Sequence, residues 1–479
     1  MFQSPFGYNT KEKILDFLDQ LSKGSNNYES YIVKAGLQRK DISFDSAGEY
    51  VFVKNMSEKI PVWIGVDDYI SWDEEDSHRI RLEPGESVGF YRKDTEIMHY
   101  IAVCSEAELK IVVTDVINET NLNFNPPEYK LYRAGRRRIY SYNNGRIWGH
   151  VGRKVSYSDN KGMTSDGLND YIDFDEEDGF EGQSVRNVFV TDDDTLLINL
   201  TADDKKGELH RVENASQKEE ISGDDLEKVI DNCFDWYNTV GIAQSESGTI
   251  IFCEYATGTS GVDFHVYRSD DDGKNWESTL EISDEEILHF HSIDFDPSIV
   301  ETKEKVTNWY LTSGDDNEHI KWWLSEDDGK TWSEIEEVGG KQDYRTLGLI
   351  ITNDYIIWGT DSRNENYIFR AEKDNLNKKE ELYFTHPAIF AAEKYDDVIY
   401  MGLADIYDIS NTGKTYILAS KDGGNSWEKV LSWKLSDRGN REGFVSCVPT
   451  PEGLYFGREN LEEHGAANHG HALSIRLQQ

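Results

Sequence analysis

From Arg138 onward the chain repeats one rhythm. A short alternating run ends in a polar turn, and a more apolar run follows at once. "RRIYSYNNG", "VRNVFVTDDD", "VGIAQSESG", "TLGLIITND", "IFAAEKYDD" and "FVSCVPTPEG" are first runs; "RIWGHV", "TLLINL", "TIIFCEY", "YIIWGTD", "VIYMGL" and "LYFG" are their partners. "HSIDFDPS" and "NWYLTS" play the same parts with a longer loop between them. Period-two alternation of Val, Ile, Tyr, Phe and Trp, broken by Gly, Asn and Asp, predicts antiparallel strands joined by tight turns. Upstream, "EYVFVKN", "IPVWIGV", "HRIRL", "SVGFYR", "MHYIAV" and "ELKIVVTDV" alternate in the same way, with "EPGES" as a turn. They predict a small antiparallel β-sandwich over residues 26–118. Before it, "NTKEKILDFLDQLS" places Ile14, Leu15, Leu18 and Leu21 on one side of a short helix, within an arm of residues 1–25. Asn9 or Thr10 would cap that helix. Residues 119–127 read as a linker, and 128–479 as a second all-β domain.

Three octapeptides punctuate the second domain. "SDDDGKNW" (Ser269 to Trp276), "SEDDGKTW" (Ser325 to Trp332) and "SKDGGNSW" (Ser420 to Trp427) share the pattern Ser-x-Asp-x-Gly-x-x-Trp. Each lies between two strand patterns and therefore forms a turn. Ser and Asp side chains accept bonds from loop N–H groups, Gly supplies a positive φ, and Trp folds back beside the hairpin. The pattern resembles the Asp-box, or BNR repeat, of sialidase-like β-propellers. That resemblance implies a propeller fold, with the boxes on the end opposite the ligand site. Asp270, Asp271, Asp327 and Asp422 are accordingly expected to be structural. So are Ser269, Gly273, Trp276, Ser325, Gly329, Trp332, Ser420, Gly424 and Trp427.

Aligning the strand before each box gives further anchors at Ser158, Val212, Ala371 and Leu477, with spacings of 54, 57, 56, 46, 49 and 57 residues. Seven anchors predict seven four-stranded blades. "EYKLYR" (128–133) has no blade of its own and is expected to supply the last outer strand, closing the ring and removing open sheet edges. The expected fold class is therefore all-β: a leading helix, an antiparallel β-sandwich and a seven-bladed propeller. The sandwich also resembles small β-modules of tailed-virus virion proteins, through "VFVKNMS", "PVWIGV", "RLEPGESVGF" and "HYIAVCS". A carbohydrate-binding or other jelly-roll module fits the same pattern.

Charge narrows the functional classes. Asp and Glu total 91 against 50 Lys and Arg, a formal net charge of -41. Such a chain repels phosphate backbones, which argues against nucleic-acid binding. It also repels itself in ordinary salt, whereas at molar salt the Debye length is about 3 Å and a dense acidic surface is tolerated. A halophilic source is expected. Cys104, Cys233, Cys253 and Cys447 have no CxxC spacing, hence no zinc ribbon or disulfide framework. No apolar run approaches the roughly 18 residues of a membrane span, so no membrane insertion is expected. The opening "MFQSPFGYNTKEKILDFL" lacks a charged leader before an apolar core, and no signal peptide is read from it.

The ligand end of a propeller carries the starts of the inner strands and the loops after the second strands. This selects His150, His291, Arg345, Asp361, Arg363, Asp405, Arg458 and Glu459 as ligand-binding candidates. Arg363 and Arg458 are the leading pair, because a guanidinium fork grips carboxylates and sugar hydroxyls. A sialidase needs three arginines, a Tyr–Glu nucleophile pair and an acid Asp. Here Arg138-Ile139 is followed by Tyr140, not Pro, and no spacing selects catalytic residues. No catalytic residue, cofactor or metal is assigned; His464, His469 and His471 in "HGAANHGHA" read as a loop. The expectation is a non-enzymatic virion attachment protein of a halophilic, archaeal tailed virus, located on the virion surface. Its propeller would bind a host glycan or glycoprotein. Its N-terminal domain would contact other virion proteins, with a homo-oligomer as one possible form. The alternatives are a sialidase-like exo-glycosidase and a protein-binding scaffold.

Overall fold

The computed structural model describes strands between residues 28 and 477 and most side chains between 141 and 457. Residues 1–27, the 115–128 segment and several loops, including 160–168, 300–305, 406–413 and 461–472, lie outside the described residues. The expected leading helix, the linker and the three histidines of "HGAANHGHA" fall there.

The chain forms two units. In the N-terminal unit, eight strands run β1 Tyr28–Ala35, β2 Lys40–Ser43, β3 Tyr50–Asn55, β4 Val62–Gly65, β5 Arg79–Leu82, β6 Ser87–Tyr91, β7 Ile97–Ala102 and β8 Ala107–Thr114. They pair antiparallel in the orders β1-β8-β3-β6 and β2-β7-β4-β5. Eight strands divided in this way between two sheets are the strand order of a jelly roll, two interleaved Greek keys.

The second unit is a β-propeller. Sequential four-stranded antiparallel meanders occupy 138–173, 184–233, 242–283, 290–339, 346–385 and 388–434. Each is one blade, and each blade's apolar face is covered by the next. One hydrophobic cluster joins the first two blades through Trp148, Tyr171, Val188 and Leu200. Further clusters join the second and third (Leu197, Trp236, Phe252), the third and fourth (Phe264, Trp309, Trp323), the fourth and fifth (Trp322, Leu349, Trp358) and the fifth and sixth (Ile357, Ile389, Leu418). Sheet faces that cannot be buried within a blade are thus buried between blades. The aromatic richness of the sequence fills these wedges.

Among the described residues six four-stranded blades are present, so the expected count of seven is corrected. The strands assigned to a seventh do not form one four-stranded sheet. Glu442–Thr450 and Gly453–Asn460 make a hairpin, while Leu473–Leu477 pairs with Tyr129–Arg133 in a separate two-stranded sheet. The hairpin joins the sixth blade's second strand, with Ala404 opposite Gly443 and Asp405 opposite Glu442. A Cβ on Gly443 would stand 2.1 Å from the Ala404 Cα, so only glycine admits this approach. The anchor periodicity counted strands correctly but could not show which sheet the last ones would join.

The three octapeptides adopt one geometry. Ser269, Ser325 and Ser420 each donate Oγ–H to the motif Asp at 2.9 Å and accept the Gly N–H at 3.0, 2.9 and 2.8 Å. Asp271, Asp327 and Asp422 each also accept a backbone N–H four residues on at 2.8 Å. Two successive residues take the left-handed conformation in every copy: Asp272–Gly273, Asp328–Gly329 and Gly423–Gly424. Trp276, Trp332 and Trp427 each pack into the cluster shared with the preceding blade. In the first two copies the left-handed Asp also reaches that blade: Asp272 accepts from Thr191 at 2.5 Å and from Thr195, and Asp328 accepts from Thr249 at 2.5 Å and Arg268 at 3.2 Å. Gly423 has no side chain for this tie.

Candidate functional site

The octapeptide turns follow third strands, so they share an end with the turns after inner strands. The opposite end carries inner-strand starts and second-strand ends. There the structure gathers His289, His291, Asp315, Arg345 and Asp361 from the fourth and fifth blades.

A strand irregularity sets this site. Phe290 pairs with Ser313 and Ser292 with Thr312, leaving His291 as the extra residue of a β-bulge. Bulges re-aim side chains. His291 is turned over Gly314, where a Cβ would approach its ring to 2.4 Å. The next residue, Asp315, is held at φ 93°, a conformation unusual for a non-glycine residue. The bulge recurs at the start of other inner strands, between Ile139 and Ser141, Val185 and Asn187, and Ile389 and Ala391. Among the described residues, only the fourth blade puts histidine at such a bulge.

The polar atoms form one network. His291 Nδ1 bonds the Thr346 carbonyl at 3.1 Å, and His289 Nδ1 bonds the Ala256 carbonyl at 2.9 Å. Carbonyls only accept, so both rings carry their N–H on Nδ1 and turn Nε2 inward. Those nitrogens lie 3.3 Å (His291) and 3.8 Å (His289) from Asp315 Oδ1. Arg345 Nη2 meets the same oxygen at 2.8 Å and Asp361 Oδ2 at 2.8 Å. Arg345 also donates to the Asp315 carbonyl at 3.3 Å. His289, His291, Arg345 and Asp361 are buried; the Asp315 side chain is 24% exposed and forms the solvent side of the cluster.

Burial and neighbours set the charges. Burial, reinforced by the adjacent His291, pushes His289 down to about 3 and keeps it neutral. Burial would raise the Asp315 carboxyl, but the contacts with His291 and Arg345 outweigh it and hold Asp315 below the ordinary carboxylate range. Tyr255 covers His289, ring centroids 4.1 Å apart, and burial pushes its phenol above the ordinary value. Beneath it, buried Glu254 accepts backbone N–H bonds from Phe234 at 2.7 Å and His265 at 2.8 Å, and burial pushes it up to about 7.

A second feature is a cavity of about 760 Å³ along the propeller axis. Inner strands and the turns after them line it. Asp294 and Glu393 stand half-buried on its wall; burial pushes Asp294 up to about 7 and, with Asp294 nearby, Glu393 up to about 8.

The sequence candidates are distributed as follows. His291, Arg345 and Asp361 come together. Arg363 is exposed in the loop just after Asp361. His150 is buried and its Nε2 bonds the Arg186 carbonyl at 2.7 Å, between the first two blades. Asp405 is buried at the end of the sixth blade's second strand. Arg458 and Glu459 lie in the strand Gly453–Asn460, opposite Phe444 and Gly443; their side chains lie outside the described residues. His289 and Asp315 escaped the sequence reading. The signal was His-x-His in "HFHS", but a bulge cannot be read from alternation. Cys233, Cys253 and Cys447 are buried free thiols, and Cys104 lies outside the described side chains.

No protein-family model and no curated protein matches the chain. Solved structures do. YCF48 bound to D1 peptide aligns over 76% of this chain and 99% of its own, with 11% identity and a TM-score of 0.46. An ancestral GH74 enzyme aligns over 76% of this chain and 51% of its own, at 11% identity and 0.47. The Penicillium chrysogenum alpha-L-arabinanase complexed with arabinobiose aligns over 50% and 92%, at 13% and 0.30. All three are β-propellers, enzymes and a peptide binder among them, and the likeness is one of fold.

Proposed function

We propose that this chain is a binding protein whose propeller end, around Asp315, Asp361 and Arg363, recognises a cell-surface glycan or glycoprotein. In this reading it is the attachment protein of a halophilic, archaeal tailed virus, and the jelly-roll unit contacts other virion proteins. The observation that favours binding over hydrolysis is that this end spends its acids internally. Asp315 and Asp361 share Arg345, and Glu254 is committed to two backbone N–H groups. Arg345 is therefore a scaffold for the loop ends, and exposed Arg363 is the group positioned to meet a ligand. With 41 net negative charges, recognition in high salt rests on short-range hydrogen bonds and stacking, since long-range steering is screened.

The test is adsorption. Purified protein is expected to bind host cells and to compete with virus, and Arg363→Ala combined with Arg458→Ala to weaken both. Thermal melts in rising KCl test the halophilic part: Tm should climb between about 0.1 M and about 2 M, as the screening length falls from about 10 Å to below about 3 Å. A flat curve would refute it.

One observation favours a second reading, an exo-glycosidase. Asp294 and Glu393 are carboxyls with raised pKa values in a sizeable cavity, the state that general acid catalysis uses. Hydrolysis of a chromogenic glycoside panel, lost in Asp294→Asn, would replace the binding reading with this one.

A further inference from the structure

His289, His291 and Asp315 pose an electrostatic problem. Both imidazoles donate Nδ1–H to carbonyls, so in their neutral tautomer two Nε2 lone pairs would face one carboxylate oxygen. The three donor atoms all lie within 4.8 Å of one another. Acceptors converge in this way only around a positive charge. Arg345 supplies part of it, but its guanidinium is shared with Asp361, which cancels one unit. A proton on His291 would satisfy the 3.3 Å contact and leave His289 Nε2 facing the same oxygen. That nitrogen has no hydrogen-bond partner, on a residue only 2% exposed. A buried acceptor left without a partner is destabilising.

We propose that His289 Nε2, His291 Nε2 and Asp315 are the protein ligands of a divalent transition-metal ion of the zinc class. Two imidazoles and one carboxylate suit zinc and its neighbours, whereas calcium and magnesium prefer all-oxygen sites. The spacing agrees: a tetrahedral ion with bonds of about 2.0–2.1 Å sets its ligands about 3.3 Å apart. Here the nitrogen–oxygen separations are 3.3 and 3.8 Å. The supporting contacts are those of a metal site. Each histidine is oriented by a carbonyl on its other nitrogen, and the carboxylate is held by Arg345. Tyr255 walls the buried side against His289, while partly exposed Asp315 gives the entry path. Three protein ligands leave a fourth position on that side for water or an exchangeable oxygen ligand.

The experiment is a titration of chelator-stripped, full-length protein with zinc chloride, and in parallel with cobalt chloride. It is run in molar KCl, so that diffuse attraction of cations to the acidic surface is screened. The wild type should take up one equivalent, and the cobalt form should show the visible ligand-field bands of a four-coordinate site. His291→Ala should lower affinity by at least about tenfold. His289→Gln, which keeps a donor for the Ala256 carbonyl, should do the same and carries the test if His291→Ala does not fold. Replacing His464, His469 and His471 together by Ala should leave binding intact. The proposal is overturned if folded wild type binds neither ion stoichiometrically. It is equally overturned if binding survives the His289 and His291 changes or disappears with the three distal histidines.

Discussion

Carboxylates sit at both ends of the same blades, and they work differently. At one end Asp271, Asp327 and Asp422 find their partners within four residues: a Ser before, a backbone N–H after. At the other, Asp315 and Asp361 meet at Arg345, respectively 30 and 16 residues away. The first group closes turns that would exist in any blade. The second exists only because two particular blades are neighbours. A local carboxylate therefore tolerates loss, because water can replace its partners. The buried one does not, because its partner's charge remains behind.

The sharpest way to break the comparison is Arg345→Ala. It leaves Asp315 and Asp361 close together without their shared cation, and should cost about 3–5 kcal/mol in denaturant melts. A cost below about 1 kcal/mol would mean the two ends differ less than their burial implies. Next is Trp276→Ala. Trp276 touches Phe252, ring centroids 5.2 Å apart, in the cluster between the second and third blades. Its removal should cost about 3 kcal/mol. Here a motif read locally has a long-range consequence, and a near-neutral result would confine the motif to its own hairpin.

The axial cavity gives a pH test. Asp294 and Glu393 have folded-state pKa values above their unfolded ones, about 7 and about 8. Between about pH 4 and pH 8 the folded state binds more protons than the unfolded. Stability from this pair is complete at the acid end and falls as pH rises through that window. Asp294→Asn with Glu393→Gln should flatten the fall, and an unchanged slope would remove the pair from consideration. The smallest effect is expected for Asp271→Ala, about 1–2 kcal/mol from lost turn hydrogen bonds. Host-cell adsorption should be unchanged in it; loss of adsorption with an intact melt would move the recognition site to the octapeptide end.

The carboxylate contrast also separates what the sequence could reveal from what it could not. Strand alternation, the octapeptide turns and the anchor spacing depend on neighbours a few residues apart, so their physics is written in consecutive letters. The propeller followed from them, and His291, Arg345 and Asp361, named as candidates at the end opposite the octapeptides, do come together. Three things needed the tertiary structure. Close approach at Gly443 decided that the last hairpin joins the sixth blade, which set the count at six rather than seven. A one-residue bulge turned His291 against Asp315, and alternation has no letter for a bulge. Packing of the fourth blade on the fifth then carried Asp315 to Arg345, already paired with Asp361 inside its own blade, and left His289 Nε2 without a hydrogen-bond partner. Those contacts span tens of residues, where a single sequence carries residue identities but no distances. Chain closure and burial supplied the distances, and with them the chemistry of the site.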